Sequence, residues 1–325
     1  LKNLLSLYPL KFHPILKEKV WGGEKLSKFY KKGTGKQIGE SWELSGVDEN
    51  ISVVANGSLE GQTLKQVIDD YEGDFLGNRV FEKFGNKFPL LFKFIDASQD
   101  LSVQLHPDDL LAKERHNSFG KTEMWYVMQA DPQARLILGF ISEIDKNTYF
   151  EKLSENKLTE ILHSEAVKKG DSFVIYPGTV HAIGAGVVLA EIQQTSDITY
   201  RIYDWDRPDI DGTLRELHTD LALAAINFNE SRTRLDYQEK ENVSLPLCHT
   251  AYFATNKLQL TGNVKRDLSA IDSFVVYMCV DGNAIIEAGR FSEAMQTGET
   301  LLIPASIATI KIKATAATIL EVYIP

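Results

Sequence analysis

Cysteine is scarce in this chain. Its 325 residues contain two, Cys248 and Cys279, too few for a disulfide framework and without the spacing of a metal-binding pair. Basic charge is in deficit: 35 Lys and Arg stand against 45 Asp and Glu, a formal net charge of −10. A nucleic-acid partner, which demands a basic face, is not expected. No apolar run approaches the ~18 residues of a membrane-spanning helix, so no membrane association is expected either. The stretch Leu1–Trp21 is broken by Pro9, Pro14 and several lysines and lacks a small-residue cleavage site, so it reads poorly as a signal peptide. The chain begins at Leu1 rather than Met, which leaves room for an upstream residue or tag. Low-complexity tracts and long linkers are also missing. What remains, 43% hydrophobic and 25% charged residues, is the composition of a soluble globular protein, expected in the cytoplasm. The length suggests two domains, or one large domain with an appendage.

Short segments rich in Val, Ile, Phe and Tyr, bounded by Gly, Asp, Asn or Pro, dominate. Strands are predicted at Ser41–Leu44, Ile51–Val54, Leu90–Ile95, Trp125–Met128, Ala134–Leu138, Ser172–Tyr176 and Val187–Gln193, with several more after Tyr252. Helical periodicity is confined to Thr63–Tyr71, to Ile144–Leu162 (with Tyr149, Phe150, Leu153, Leu158 and Ile161 on one face), and to Leu217–Ile226. Many strands with few helices predict a mainly-β fold of sandwich or barrel type. An internal repeat supports this. Glu123–Met128 resembles Ser273–Met278, and Gly170–His181 resembles Gly298–Thr309; the two separations differ by the length of Ser142–His163, which carries a helical pattern. One β unit used twice, with a helical insert in the first copy, accounts for this. The expected boundary lies in the polar stretch Asn229–Ser244, giving domains 1–235 and 236–325.

Copy one carries polar residues that copy two lacks. Gln104 and His106 alternate along a strand, so both point to one face. Glu123 follows on the next strand, and His181 ends the second matching segment. Copy two has Ser273 and Thr309 in the matching places. Imidazole nitrogens with a carboxylate suit a borderline divalent ion such as zinc, with positions left open for substrate. A histidine in a sheet is also a common hydrogen-bonded structural residue, and there are seven here. On the residues alone both readings stand. His13, His116, His163, His218 and His249 have no companion pattern and read as structural or surface residues. Asp204-Trp205-Asp206-Arg207 reads as a charged turn with an ion pair. Lys31, Lys32 and Lys36 read as a solvated loop, and Gly22-Gly23 as a turn without phosphate-loop spacing. Lys93 interrupts the apolar strand LLFKFI, where burial would be costly without an anionic partner.

At these residues the sequence strongly resembles type I phosphomannose isomerases, zinc-dependent enzymes of the cupin superfamily. The motifs are VWGG at Val20–Gly23, GESWEL at Gly39–Leu44, PLLFKFIDASQDLSVQLHPDD at Pro89–Asp109, GKTEMW at Gly120–Trp125, GTVHAI at Gly178–Ile183 and EIQQTSDITYRIYDWDR at Glu191–Arg207. They span most of the first two-thirds of the chain in the family's order. One departure is Tyr176-Pro177-Gly178-Thr179, where the family usually has Pro-Ala-Gly-Thr; His181 keeps its distance from Gly178. After about Asn229 the resemblance is general, matching the short bacterial form. The implied fold is a cupin-type β-barrel (jelly roll) with helical insertions, followed by a smaller, metal-free, cupin-like C-terminal β domain.

The resemblance implies one zinc ion per chain, held by Gln104, His106, Glu123 and His181, and reversible interconversion of mannose 6-phosphate and fructose 6-phosphate. It makes Arg201 the catalytic arginine and puts Ser102, Lys93 and Lys121 near the phosphate or sugar oxygens, with Glu191 also in the pocket. Arginine is too weak an acid to serve as a base near neutrality, so Arg201 fits charge stabilisation. The base is open among a metal-bound water, Glu191 and Lys121. A dianionic phosphate requires a locally basic pocket despite the overall −10. The oligomeric expectation is a monomer or weak homodimer. Two competing readings are an isomerase of another phosphorylated aldose, such as glucose 6-phosphate, and a non-catalytic sugar-phosphate-binding protein.

Overall fold

A computed structural model of the chain describes residues 6–35, 37–229 and 233–325. Lys36, the start of the N-terminal stretch and part of the expected boundary segment lie outside the described residues. Before residue 236 the strands are β1 (Ile15–Gly23), β2 (Ile38–Ser45), β3 (Leu90–Asp96), β4 (Val103–Leu105), β5 (Glu123–Ala130), β6 (Arg135–Phe140), β7 (Leu162–Ala166), β8 (Ser172–Ile175), β9 (His181–Ile183), β10 (Val187–Gln194) and β11 (Tyr200–Tyr203). They form a six-stranded sheet, β1-β2-β3-β10-β5-β8, and a five-stranded sheet, β11-β4-β9-β6-β7. After it come β12 (Leu245–His249), β13 (Ala254–Asp267), β14 (Val275–Ala288), β15 (Phe291–Gln296), β16 (Thr300–Ile303) and β17 (Thr309–Tyr323), in the order β12-β13-β17-β14-β15 with β16 paired to β14. The helices are α1 (Lys25–Tyr30), α2 (Leu64–Leu76), α3 (Asn78–Phe84), α4 (Asp109–His116), α5 (Lys146–Ser154) and α6 (Thr219–Leu223). The fold is mainly β, as expected.

The chain divides into two compact units. One comprises Leu16–Ser41 and Lys93–Leu235; the other comprises Leu1–Ile15, Trp42–Phe92 and Asp236–Pro325. The chain thus passes between units at Leu235/Asp236 and also at three earlier points.

In the first unit the two-residue period of the strands builds one core. Ile95, Trp125, Val127, Phe173, Ile175 and Leu189 from one sheet join Leu136, Leu138 and Ile183 from the other. The intervening residues of the second sheet, among them Val103, Leu105, Ala182, Tyr200 and Ile202, form a separate apolar layer with Tyr149 of α5, Leu158 and Ile161 of a following 3₁₀ turn, and Ala222 of α6. The second unit has its own core, in which Tyr277, Leu301 and Ile319 take part.

Several local expectations change. Ile51–Val54 makes only isolated bridges, Val53 with Thr63 and Phe12 with Val54, and no ladder. The helix expected over Ile144–Leu162 stops at Ser154 and resumes as the 3₁₀ turn Leu158–Ile161, with Asn156 left-handed (φ 57) between them. Adjacent side chains cannot share a helical face, and Phe150 is 47% exposed while Tyr149 is buried. Helix α4, unpredicted, is capped by Asp108, which accepts from the Leu111 amide. Lys32 is buried, with its ammonium 5.8 Å from the Phe94 ring centroid, rather than solvated.

The internal repeat is real in structure, with its register adjusted. The Val127 amide donates to the Asp171 carbonyl at 2.9 Å, and the Gly170 amide to the Val127 carbonyl at 2.8 Å. Cys279 repeats this pattern with Glu299 and Gly298, both at 2.9 Å. Val127 therefore corresponds to Cys279, two residues beyond the sequence match, which makes Val275 the counterpart of Glu123. Thr309 is exposed, and its neighbour Ile310 points into the core. Copy two still lacks both polar groups.

Candidate metal centre and active site

At one end of the first unit's core, the inward positions change from apolar to polar on strand after strand. Lys93 lies two residues from Ile95 on β3, Glu123 two from Trp125 on β5, Glu191 two from Leu189 on β10, and His181 two from Ile183 on β9. On β4, Val103 and Leu105 face the outer layer, so Gln104 faces inward. Strand pairing then sets Arg201 opposite Gln104 and Gln104 opposite His181, one row across three strands. The period-two expectation for Gln104 is met, and His106 follows from the strand end.

His106, Glu123 and His181 are each 1% exposed, and one ligand atom from each lies within 4.8 Å of the others. Both imidazoles are oriented through Nδ1, which donates to the Ile198 carbonyl in His106 (2.9 Å) and to the Thr179 carbonyl in His181 (2.8 Å). Each Nε2 is thereby the nitrogen with the free lone pair. Burial, reinforced by the Lys121 ammonium, pushes His106 down to about 3, so its ring is neutral near pH 7. Burial also lowers His181. For Glu123 burial acts the other way, but Lys121, with Nζ 3.1 Å from Oε1, holds the carboxyl well below the usual range.

His106 Nε2 therefore faces Glu123 Oε1 at 3.2 Å as one acceptor against another, and His181 Nε2 lies 3.9 Å from Oε2. Both Nε2 atoms and Glu123 Oε2 are buried without a hydrogen-bond partner. Unpaired buried acceptors are costly, and acceptors this close repel. A cation among them removes both penalties, and two imidazoles with a carboxylate are a donor set for a borderline divalent metal. The residues fit a metal ion.

The remaining expected residues surround this cluster. Lys93 is 6% exposed, 3.0 Å from Glu191 and 3.9 Å from Glu40. Burial alone would lower its pKa, but Glu191, Glu40 and Glu123 together raise it. Glu191 accepts from the Trp125 indole at 2.9 Å. Ser102 donates to Gln104 Oε1 at 3.1 Å and accepts from Arg201 Nε at 3.4 Å. Arg201 also donates through Nη1 to the Glu216 carbonyl at 2.8 Å, while its own amide donates to His218 Nδ1 at 3.2 Å. His218, read as a structural or surface residue, holds the Arg201 backbone. Asp204 is the charged hub of its turn, bound by Arg215 at 2.6 Å through two nitrogens and by Arg207 at 3.2 Å. The surroundings of the cluster are less basic than expected: Lys93, Lys121 and Arg201 stand against Glu40, Glu123 and Glu191. The sequence reading missed Glu40, although it lies within GESWEL, and missed Trp125, whose ring meets His181 edge-on at 5.4 Å between centroids.

The fold and the site together define a cupin-type protein with a buried His–Glu–His cluster able to hold a metal. A model of the type I phosphomannose isomerase catalytic domain matches residues 9–134, and one of the mannose-6-phosphate isomerase cupin domain matches residues 245–323. The chain is 34% identical over 322 residues to mannose-6-phosphate isomerase ManA of Bacillus subtilis, covering 98% of this chain and 99% of that one. It is 33% identical over 308 residues to mannose-6-phosphate isomerase of Streptococcus mutans, covering 92% and 93%. The crystal structure of mannose 6-phosphate isomerase from B. subtilis superposes with a TM-score of 0.87 at 28% identity, covering 97% of this chain and 99% of that one. The chain belongs to the type I phosphomannose isomerase family, whose members are aldose–ketose isomerases.

Proposed function

We propose that this protein interconverts mannose 6-phosphate and fructose 6-phosphate, with one zinc ion held by His106, Glu123, His181 and, as fourth ligand, Gln104. The observation that carries the reading is the set of unpaired acceptors on His106, Glu123 and His181. It lies in a chain whose curated relatives are mannose-6-phosphate isomerases over nearly their full length.

The reaction moves a carbonyl between C1 and C2 of the sugar. It removes a carbon-bound proton of very weak acidity and builds negative charge on an enediol oxygen. A bound divalent cation supplies Lewis-acid stabilisation of that charge without redox change. Arg201, in one row with Gln104 and His181, adds a fixed positive charge on the same side. Ser102 and Glu216 orient its guanidinium. Uptake of the carbon-bound proton falls to Glu191 or to Lys121, which would first have to give up its ammonium proton, and the reaction alone does not choose between them. For the phosphate, Ser102, Lys121 and Arg201 are favoured over Lys93, whose charge two carboxylates already match.

The test is isomerisation of mannose 6-phosphate before and after chelator treatment, with zinc restored. Chelator-sensitive, zinc-rescued turnover is expected. Absence of turnover in the zinc-loaded protein would redirect the reading to another phosphorylated aldose or to a binding protein.

A further inference from the structure

The two copies of the repeat share more than their strands. On β5 and β10 of copy one, Trp125 sits directly opposite Glu191, and its indole nitrogen donates to Glu191 Oε2 at 2.9 Å. On β14 and β17 of copy two, Tyr277 sits directly opposite Glu321, and its hydroxyl donates to Glu321 Oε2 at 2.7 Å. The register set by Val127 and Cys279 makes Tyr277 the counterpart of Trp125. Each carboxylate also meets a cation: Lys93 lies 3.0 Å from Glu191, and Arg266 donates to Glu321 through two nitrogens at 2.7 and 3.0 Å. Both carboxylates are buried, at 3% and 0% exposure.

Copy two retains this assembly where nothing of the metal cluster survives, since Val275 stands at the place of Glu123 in the core and Thr309, which matches His181, is exposed. An aromatic donor, a buried carboxylate and a cation therefore belong to the repeat itself. In copy one the assembly has acquired a neighbour, because the Trp125 ring packs edge-on against His181 at an interplanar angle of 77°. The His181 ring is then held at two points, by Nδ1 on the Thr179 carbonyl and by its near-perpendicular contact with the indole.

We infer that Glu191 is a positioning residue rather than the catalytic base, and that it acts through Trp125 to hold the His181 ring for metal binding. Its Oε2 accepts from the Trp125 indole, and its Oε1 lies 3.0 Å from the Lys93 ammonium. Outer groups of this kind commonly change metal affinity by about 10- to 100-fold. The inference rests on the metal reading above only in taking His181 as a ligand.

The test uses the full chain and zinc alone as the probe, titrated against a competing chelator. Trp125→Phe keeps a ring beside His181 but removes the indole donor. It is expected to weaken zinc binding by about 10- to 100-fold and to leave kcat of the zinc-saturated enzyme within about tenfold. Glu191→Gln keeps an acceptor for the indole. It is expected to bind zinc within about threefold of the parent, and its kcat is read against the about 10²- to 10⁴-fold cost of losing a general base. Parent-like zinc affinity in Trp125→Phe would overturn the positioning role. Normal zinc affinity in Glu191→Gln with a loss of kcat beyond about 100-fold would make Glu191 the base. Failure of the parent protein to bind zinc would instead remove the metal reading itself. Thermal unfolding of both variants checks that any change is not global destabilisation.

Discussion

The backbone amide of Gly178 donates to the carbonyl oxygen of His106 at 2.9 Å. The turn that leads into His181 is thereby tied to the residue that carries the other imidazole. Gly178 has a φ of +82, and a Cβ there would lie 2.5 Å from the Ala225 carbonyl oxygen. The GTVH motif needs glycine for both reasons.

Gly178→Ala is expected to destabilise the protein by at least about 1–2 kcal/mol from backbone strain alone. Zinc content should fall with stability, because the turn couples the two histidines. A lower melting temperature with reduced metal per chain, measured on one preparation, checks this; unchanged values for both would contradict the coupling.

His181→Ala removes one of the three converging His and Glu side chains and opens the contact with Trp125. The purified variant should contain little metal and show no detectable turnover. Elemental analysis decides the matter, since normal metal content would take His181 out of the ligand set.

Arg201→Ala should keep metal and fold while lowering kcat by about 10²- to 10³-fold, the usual cost of losing one preorganised charge. Steady-state kinetics separates the roles. A rise in KM at unchanged kcat would make Arg201 a group for ground-state binding.

Acid stability should report on Glu321. Burial disfavours its charged carboxylate, but Arg266, Tyr277 and Ser244 outweigh this and lower its pKa in the folded protein. A depressed folded-state pKa contributes stability that is fully present above the unfolded value of about 4.3 and is lost as pH falls through the folded value. Urea midpoints measured from pH 7 down to 3 should decline more steeply in the parent than in Glu321→Gln. Parallel profiles would dismiss this group as a source of acid sensitivity.

The legible parts of this protein are those written in local alternation. Gln104 and His106 share a face because strands have a period of two, and the loss of polar groups in copy two distinguishes the copies by residue type alone. What escapes are relations set by register between distant segments. A shift of two residues keeps every side chain on its own face, so Glu123 matches Ser273 in pattern although Val275 is its counterpart in the fold. The pairing of Trp125 with Glu191 crosses two strands far apart in sequence, and no local signal announces it. The chain's passages between units at Ser41/Trp42 and Phe92/Lys93 are equally silent, because they fall inside the continuous strands β2 and β3.

The equality of three cationic and three carboxylate side chains around the pocket has a thermodynamic consequence. Without a metal, this end of the core offers a doubly negative phosphate no net charge to approach. A divalent ion held there would add to the local positive charge, and metal and sugar phosphate would then raise each other's affinity by the same factor. Substrate would then slow metal loss during turnover, and a chelator would strip the resting protein faster than the working one.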